Sequence, residues 1–361
     1  MIKPDIRDFT RPELAGALIA LGEKGSRADR VFNCLYRKDA ESFGAMSGIA
    51  EELKARLADR YSLQPVCAAE KLVSKTDGTI KLLFRFHDGA AAESVILFNK
   101  ETVSVCLSSQ SGCACGCGFC ATGGLGFRRD LKPSEILGQF AACGLAAGRT
   151  PDSVVFMGMG EPFLNWTNVR KSILILSDNK GRNFPQSRIT VSTVGIVPVI
   201  KDLADSRLAI KLAVSVITAD GRQRAGLTPM EKKYPLSEIM EASRHYCART
   251  GRAVFFEYIF FDGLNDSPQD AQKFLELLKG LNCKVNIIMY NPAAAAPHSG
   301  LSEKNAGLAP GRMEKAKEFQ KIMMAGGIRT HLRRERGADI RAACGQLAGG
   351  AGEDNRPAVR Q

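Results

Sequence analysis

From residue 102 onward the chain alternates short apolar stretches of extended character with segments of helical period, and that rhythm constrains the fold more than any other feature. It predicts strands at 102–107, 153–157, 188–193, 208–216, 253–261 and 284–290. Helices are predicted between them at 132–146, 166–177, 197–205, 235–250 and 268–281. A helix at 312–325 then leads to a last strand near 328–332. Strands that alternate with helices build an α/β fold with a parallel sheet and right-handed crossovers. Six or seven such units fall short of the eight that close a barrel. A partial barrel or a doubly wound sheet remains.

The first 70 residues have a different character. Helical spacing recurs at 12–21, 27–37 and 49–61, which predicts a small helical domain over 1–70. The period then becomes two, with Ile80, Leu82, Phe84 and Phe86 followed by the turn His87-Asp88-Gly89 and an extended stretch at 93–98. This reads as a β-hairpin connector over 71–100, ahead of the α/β unit at 101–349. The end of the chain, 350–361, is polar and is expected to be a disordered tail.

Composition narrows the partners. Fifty Lys and Arg against 38 Asp and Glu give a net charge of +12, which suits a polyanion such as nucleic acid. No run of 18 or more apolar residues is present, so no membrane span is expected. The first residues lack a secretory signal, and the expected location is the cytoplasm. In that compartment 11 cysteines are not a disulfide framework.

In parallel α/β folds ligands bind at the carboxyl ends of the strands. The chemistry-bearing residues of this chain gather there. Behind the first strand stand Cys113, Cys115, Cys117 and Cys120; behind the second, Gly158-Met159-Gly160-Glu161-Pro162. Ser192 and Thr193 end the third, Ser215-Val216-Ile217 the fourth, and Asn291-Pro292 follows the sixth. Cys113, Cys117 and Cys120 have C-x3-C-x2-C spacing, which can hold three corners of a 4Fe–4S cluster and leave the fourth iron open. Structural zinc instead takes four ligands, usually from two knuckles, and no second knuckle is visible. Cys115 is a further thiol in the same loop.

These motifs together resemble the radical S-adenosylmethionine (SAM) RNA adenosine methyltransferases of the RlmN/Cfr type, over about residues 27–350. The likeness rests on Cys106-Leu107-Ser108-Ser109-Gln110, Cys120-Ala121-Thr122-Gly123, the stretch from Phe156 to Pro162, Glu257-Tyr258, Asp262-Gly263-Leu264-Asn265-Asp266, Lys284-Val285-Asn286 and the block from Gly337 to Leu347 around Cys344. It implies a partial (β/α)6 barrel with a small helical N-terminal domain. It implies one 4Fe–4S cluster on Cys113, Cys117 and Cys120, and SAM used twice per turnover. Gly160, Glu161, Ser192, Ser215, Val216, Ile217 and Asn291 match the family's SAM contacts. Members usually carry His where this chain has Ile217.

The resemblance also implies a methyl-carrier reaction. Cys344 matches a cysteine that is methylated by one SAM. A radical from the second SAM then activates that methyl group, which adds to an adenine ring carbon and links protein to RNA. Cys106 matches the thiol that releases the product by forming a transient disulfide. Glu93 matches a general base for the ring proton. The target is carbon 2 of an adenosine in 23S rRNA and, in some members, tRNA, with electrons from a donor such as flavodoxin or ferredoxin. Carbon 8 methylation of the same rRNA adenosine, as in antibiotic-resistance enzymes, is the sibling outcome, and a divergent paralogue could act on another RNA. A zinc-stabilised RNA-binding protein is the reading without catalysis. Phosphate contacts are expected from the run of Arg329, Arg333, Arg334, Arg336 and Arg341, with Arg128, Arg129, Lys71, Lys232 and Lys233 as further cations.

Overall fold

A computed structural model describes residues 3–292 and 307–350. The expected tail from 351 onward lies outside the described residues. The chain begins with α1 (Arg11–Ala20), α2 (Ala28–Tyr36) and α3 (Glu51–Arg60). These close over Leu14, Leu18, Phe32, Leu53 and Leu57, each fully or almost fully buried. The resulting unit is pinned to the rest of the chain. Arg11 reaches Asp178 at 2.9 Å, and the Ser134 amide donates to Asp8 at 2.9 Å.

Ten strands form one sheet in the order β1-β2-β3-β4-β7-β8-β9-β10-β11-β12. Its antiparallel end comprises β1 (Ala68–Val73), β2 (Ile80–Arg85) and β3 (Ala91–Asn99), which leads to β4 (Thr102–Cys106). From β4 the sheet runs parallel through β7 (Ser153–Phe156), β8 (Ile189–Thr193), β9 (Lys211–Ile217), β10 (Val254–Phe260), β11 (Cys283–Met289) and β12 (Thr330–Leu332). The crossovers are α5 (Pro133–Ala147), α6 (Trp166–Ser177), α7 (Val197–Asp205), α10 (Leu236–Thr250), α11 (Pro268–Leu278) and α12 (Met313–Ala325). Strands β4 and β7 to β11 are the six units of a partial (β/α)6 barrel, and β12 adds a seventh parallel strand.

Local chemistry sets these boundaries. Helix α5 starts with Pro133 at its first position, and Glu135 reaches back to the Lys132 amide at 2.9 Å. It ends at Gly148, whose φ of +68° suits glycine. Helix α10 ends the same way at Gly251. Strand β10 is almost wholly buried because parallel strands are covered on both faces.

Two features differ from the sequence expectation. The hairpin at 71–100 is no separate connector: β2 and β3 continue the main sheet, with β1 outside them. Strand β1 is an edge whose side chains are mostly exposed, so it shows no apolar alternation to read. A separate pair, β5 (Gln110–Gly112) with β6 (Phe127–Asp130), brackets the cysteine loop and was too short to predict.

Candidate active site

The parallel strands end around a cavity of about 180 Å³. Its lining brings together Cys113, Cys117, Cys120, Gly160, Glu161, Ser192, Ser215, Ile217, Asn291 and Cys344, ten of the residues expected from sequence. Three expected residues are not in the lining. Val216 points the other way along β9, as a strand's period of two requires, and its carbonyl accepts from Arg224 and Thr218. The side chain of Val216, expected among the cofactor contacts, is therefore not in the lining. Cys106 and Glu93 lie behind the cavity wall, on β4 and β3.

The turn after β7 approaches its neighbours too closely for any side chain. A Cβ on Gly160, whose φ is +94°, would lie 2.5 Å from the Gln110 side chain. A Cβ on Gly158 would lie 2.8 Å from the Leu107 backbone. This packing turns Glu161 inward. Its two carboxylate oxygens accept the amides of Phe163 at 2.9 Å and Val194 at 2.7 Å, so they tie β7 to β8. Burial pushes the carboxyl up to about 7 despite these two amides, which pull it down.

At the end of β9, Ser215 and Ser192 approach at 3.5 Å between hydroxyls. Ile217 has φ +72°, a conformation rare for a β-branched residue. It persists because neighbours hold it. The fully buried Asn265 donates to the Ile217 carbonyl at 3.3 Å and the Ile259 carbonyl at 2.7 Å, and accepts from the Phe261 amide. The apolar side chain of Ile217 forms part of the cavity wall.

Cys344 sits on a turn strapped across the cavity mouth. Its carbonyl accepts from Asn291 Nδ2 at 3.1 Å, and the Gly345 carbonyl accepts from the Ala121 amide at 2.7 Å. Thr122 donates to the Leu347 carbonyl at 2.7 Å. On the inner side, Glu93 accepts from the amides of Ala348 and Gly349 and pairs with Lys81 at 3.1 Å. Glu93 is thus buried and engaged rather than facing solvent. The Cys344 side chain is exposed, yet surrounding protein and the Glu257 carboxylate raise its thiol, while Arg333 lowers it. Burial pushes Cys106 up to about 12, with the nearby Cys344 charge adding to the rise.

The comparisons with known proteins agree on one family. Residues 107–278 match the Radical SAM superfamily, and residues 4–63 match the ribosomal RNA large subunit methyltransferase N-terminal domain. A probable dual-specificity RNA methyltransferase RlmN of Cytophaga hutchinsonii is 39% identical over 96% of this chain and 93% of its own length. A dual-specificity RNA methyltransferase RlmN of Anaeromyxobacter dehalogenans is 38% identical over 99% and 95%. The chain belongs to the RlmN family of radical SAM RNA methyltransferases. The crystal structure of a radical SAM methyltransferase from Sphaerobacter thermophilus superposes with a TM-score of 0.87 at 40% identity, covering 96% of this chain and 99% of that one.

The RlmN family implies SAM and a 4Fe–4S cluster, and the donor set fits the cluster. Four thiols from one loop, those of Cys113, Cys115, Cys117 and Cys120, line one cavity. Burial pushes Cys117 up to about 12, and the charges of Cys120 and Cys113 raise it further. Burial raises Cys120 as well, whereas the hydrogen bond from Cys115 lowers Cys113, and a bound metal group would hold the two raised thiols as thiolates. Among the described residues no three His, Cys, Asp or Glu side chains are grouped for a single metal ion. Cys115 is buried and hydrogen-bonds Cys113.

Sequence reasoning missed several residues. Glu257 lines the cavity, is raised by burial, and accepts from Asn286 at 2.8 Å. Its signal was a lone carboxylate inside an apolar strand. Arg224 and Thr228 left no such mark. Some expected RNA-facing cations are engaged within the protein: Arg129 with Asp88 and Glu135, Arg128 with the Asp88 and Gly89 carbonyls, Arg336 with the Phe98 carbonyl and Asn99. A basic depression of about 530 Å³, lined by Arg30, Arg37, Lys38 and Lys180 with Asp29, lies instead where the helical domain meets the barrel. No helix among the described residues is long and apolar enough to cross a membrane.

Proposed function

We propose that this chain methylates carbon 2 of an adenosine in 23S rRNA, and in tRNA, through a methyl group carried on Cys344. One observation carries the reading. The exposed Cys344 turn is strapped over the same cavity that the three-cysteine loop lines, with a second non-cluster cysteine, Cys106, close behind it. The relatives' description as dual-specificity RNA methyltransferases supports two RNA substrates.

The cluster and two SAM molecules, when bound, supply the methyl group and the radical that activates it. A reductant such as flavodoxin or ferredoxin would supply the electron that this chemistry needs. The chain's own residues do the rest. Cys113, Cys117 and Cys120 would hold the cluster. Gly160 gives the backbone its close approach, and Glu161, Ser192, Ser215 and Asn291 offer polar groups to SAM, with Ile217 as an apolar contact. The Cys344 sulfur takes the methyl group and presents it to the ring, whose carbon 2 is too electron-poor to attack a methyl cation. Cys106 as thiolate then attacks the Cys344 sulfur. The sulfur–carbon bond breaks with its electron pair passing to the ring-bound carbon, which takes up a proton to become the methyl group; a disulfide forms, and a cellular dithiol returns both cysteines to thiols. Glu93 is the candidate acceptor for the ring proton. It must first release the two amides of the Cys344 turn. The basic depression with Arg30, Arg37, Lys38 and Lys180 suits a phosphate backbone, with Arg333 nearest the carrier cysteine.

The test is nucleoside mass spectrometry on 23S rRNA and tRNA from a bacterium that lacks its own enzyme and expresses this chain. 2-Methyladenosine in both pools is the expected result. 8-Methyladenosine, or neither isomer from cells holding cluster-loaded protein, overturns the assignment.

A further inference from the structure

A short segment, α8 (Gly221–Leu227) and α9 (Met230–Lys233) with the link between them, touches the cysteine loop. The Gly118 amide donates to the Leu227 carbonyl at 2.9 Å. One residue further on, the Cys117 thiol donates to the Thr228 hydroxyl at 3.2 Å. Thr228 is fully buried. Its hydroxyl oxygen has one other hydrogen-bond neighbour, the Met230 amide at 3.3 Å.

This arrangement has a direction. An amide N–H can only donate, so Met230 occupies a lone pair of the Thr228 oxygen and leaves the hydroxyl proton unused. Among the described residues, the Cys117 sulfur is the hydrogen-bond partner that can receive it. While Cys117 is a thiol it donates to that oxygen. Once its sulfur is a metal ligand the thiol proton is gone and the sulfur can only accept. The hydroxyl then turns its own proton to the sulfur.

We propose that Thr228 donates a hydrogen bond to the cluster-bound sulfur of Cys117 and raises the reduction potential of the cluster. The physical reason is electrostatic. Reduction adds one electron to a cluster already surrounded by thiolates, and a proton held against one sulfur stabilises the more negative state. The position of Thr228 is fixed independently of the cysteine loop. Its amide donates to the Arg224 carbonyl at 2.9 Å. Arg224, fully buried, donates to the Val194 carbonyl at 2.6 Å and the Val216 carbonyl at 3.2 Å, and pairs with Glu231. The hydroxyl is therefore anchored to the ends of β8 and β9, and Arg224 adds a positive charge on the same side of Cys117.

The inference rests on the cluster assignment of the proposed function, and the experiment separates the two. Wild type, T228S, T228V and T228A are reconstituted anaerobically with iron and sulfide, assayed for both, and titrated with dithionite under redox mediators while the reduced cluster is followed by electron paramagnetic resonance. T228V and T228A are expected to share a midpoint potential more negative than wild type, and T228S to restore it. Deuterium double resonance in D₂O is expected to show an exchangeable deuteron coupled to the reduced cluster in wild type and T228S that T228V lacks. Cluster-loaded T228V and T228A with the wild-type potential and deuteron signal overturn the inference alone. A wild-type chain that takes up no iron and sulfide overturns the cluster assignment, and the inference with it.

Discussion

Glu93 and Ala348 stand 255 residues apart in the chain, and the carboxylate of one accepts the amide of the other at 2.8 Å. The Gly349 amide joins the same oxygen at 3.1 Å. A residue matched to proton transfer thereby also fastens the turn that carries Cys344.

Replacing Glu93 should loosen that turn. E93A removes a buried ion pair and two charge-assisted hydrogen bonds, and is expected to cost about 3–5 kcal/mol in urea unfolding. E93Q keeps an acceptor for the amides and is expected to cost about 1–3 kcal/mol. In both, alkylation of Cys344 by iodoacetamide should be faster than in wild type, read by peptide mass spectrometry. Unchanged Cys344 reactivity would show that Glu93 does not restrain the turn.

Cys106 and Cys344 should separate cleanly in their products. C106A blocks release, so a covalent chain–RNA adduct should accumulate, seen as a shifted band that nuclease removes. C344A and the double variant should form none. An RNA-free, fully active C106A protein would rule out the release role.

Arg224 should behave as a structural ion whose loss cannot be absorbed. R224M strands the Val194 carbonyl, leaves the Val216 carbonyl with the Thr218 amide alone and deprives Glu231 of its guanidinium, at an expected cost of about 3–5 kcal/mol. R224K keeps the charge but not the planar fork, so its unfolding midpoint should fall close to that of R224M. A midpoint for either variant within error of wild type would contradict the bonding described.

Glu161 makes a signed prediction about pH. Its carboxyl is raised from 4.5 to about 7, so the folded state holds a proton that the unfolded state releases between those values. The contribution of Glu161 is therefore full below pH 4.5 and lost as the pH rises to 7, a change of about 3 kcal/mol. The stability of the cluster-free wild type relative to E161Q should fall across that window. A pH-independent difference between the two would refute the shift.

What the sequence discloses here is what sits close together along it. The three cysteines, the Gly158–Glu161 turn and the Cys344 block were legible because each motif is complete within a few residues. The parallel strands were legible because burial on both faces makes them continuous apolar runs. Arg224 was not legible. In a short polar helix it reads as a surface charge, yet the carbonyls that bury it come from residues 8 and 30 positions away. Thr228 was hidden for the same reason, since its partner Cys117 lies 111 residues earlier. Val216 came with a family triplet carried over whole, and the period of two turns its side chain away from the cavity that Ser215 and Ile217 line. Strand β1 left no trace because an exposed edge needs no apolar pattern.

The strap that holds Cys344 has a consequence for the life of the molecule before it is finished. It leans on parts made long before it: Thr122, 225 residues upstream of Leu347, Glu93, and Asp77, which takes the Gly337 amide at 3.0 Å. A ribosome delivers these parts first and the carrier cysteine last. A nascent or prematurely terminated chain can thus complete every strand and the cysteine loop while having no sulfur on which to place a methyl group. If Cys344 carries the methyl group as proposed, the order of synthesis would keep the half-made enzyme from reacting with RNA.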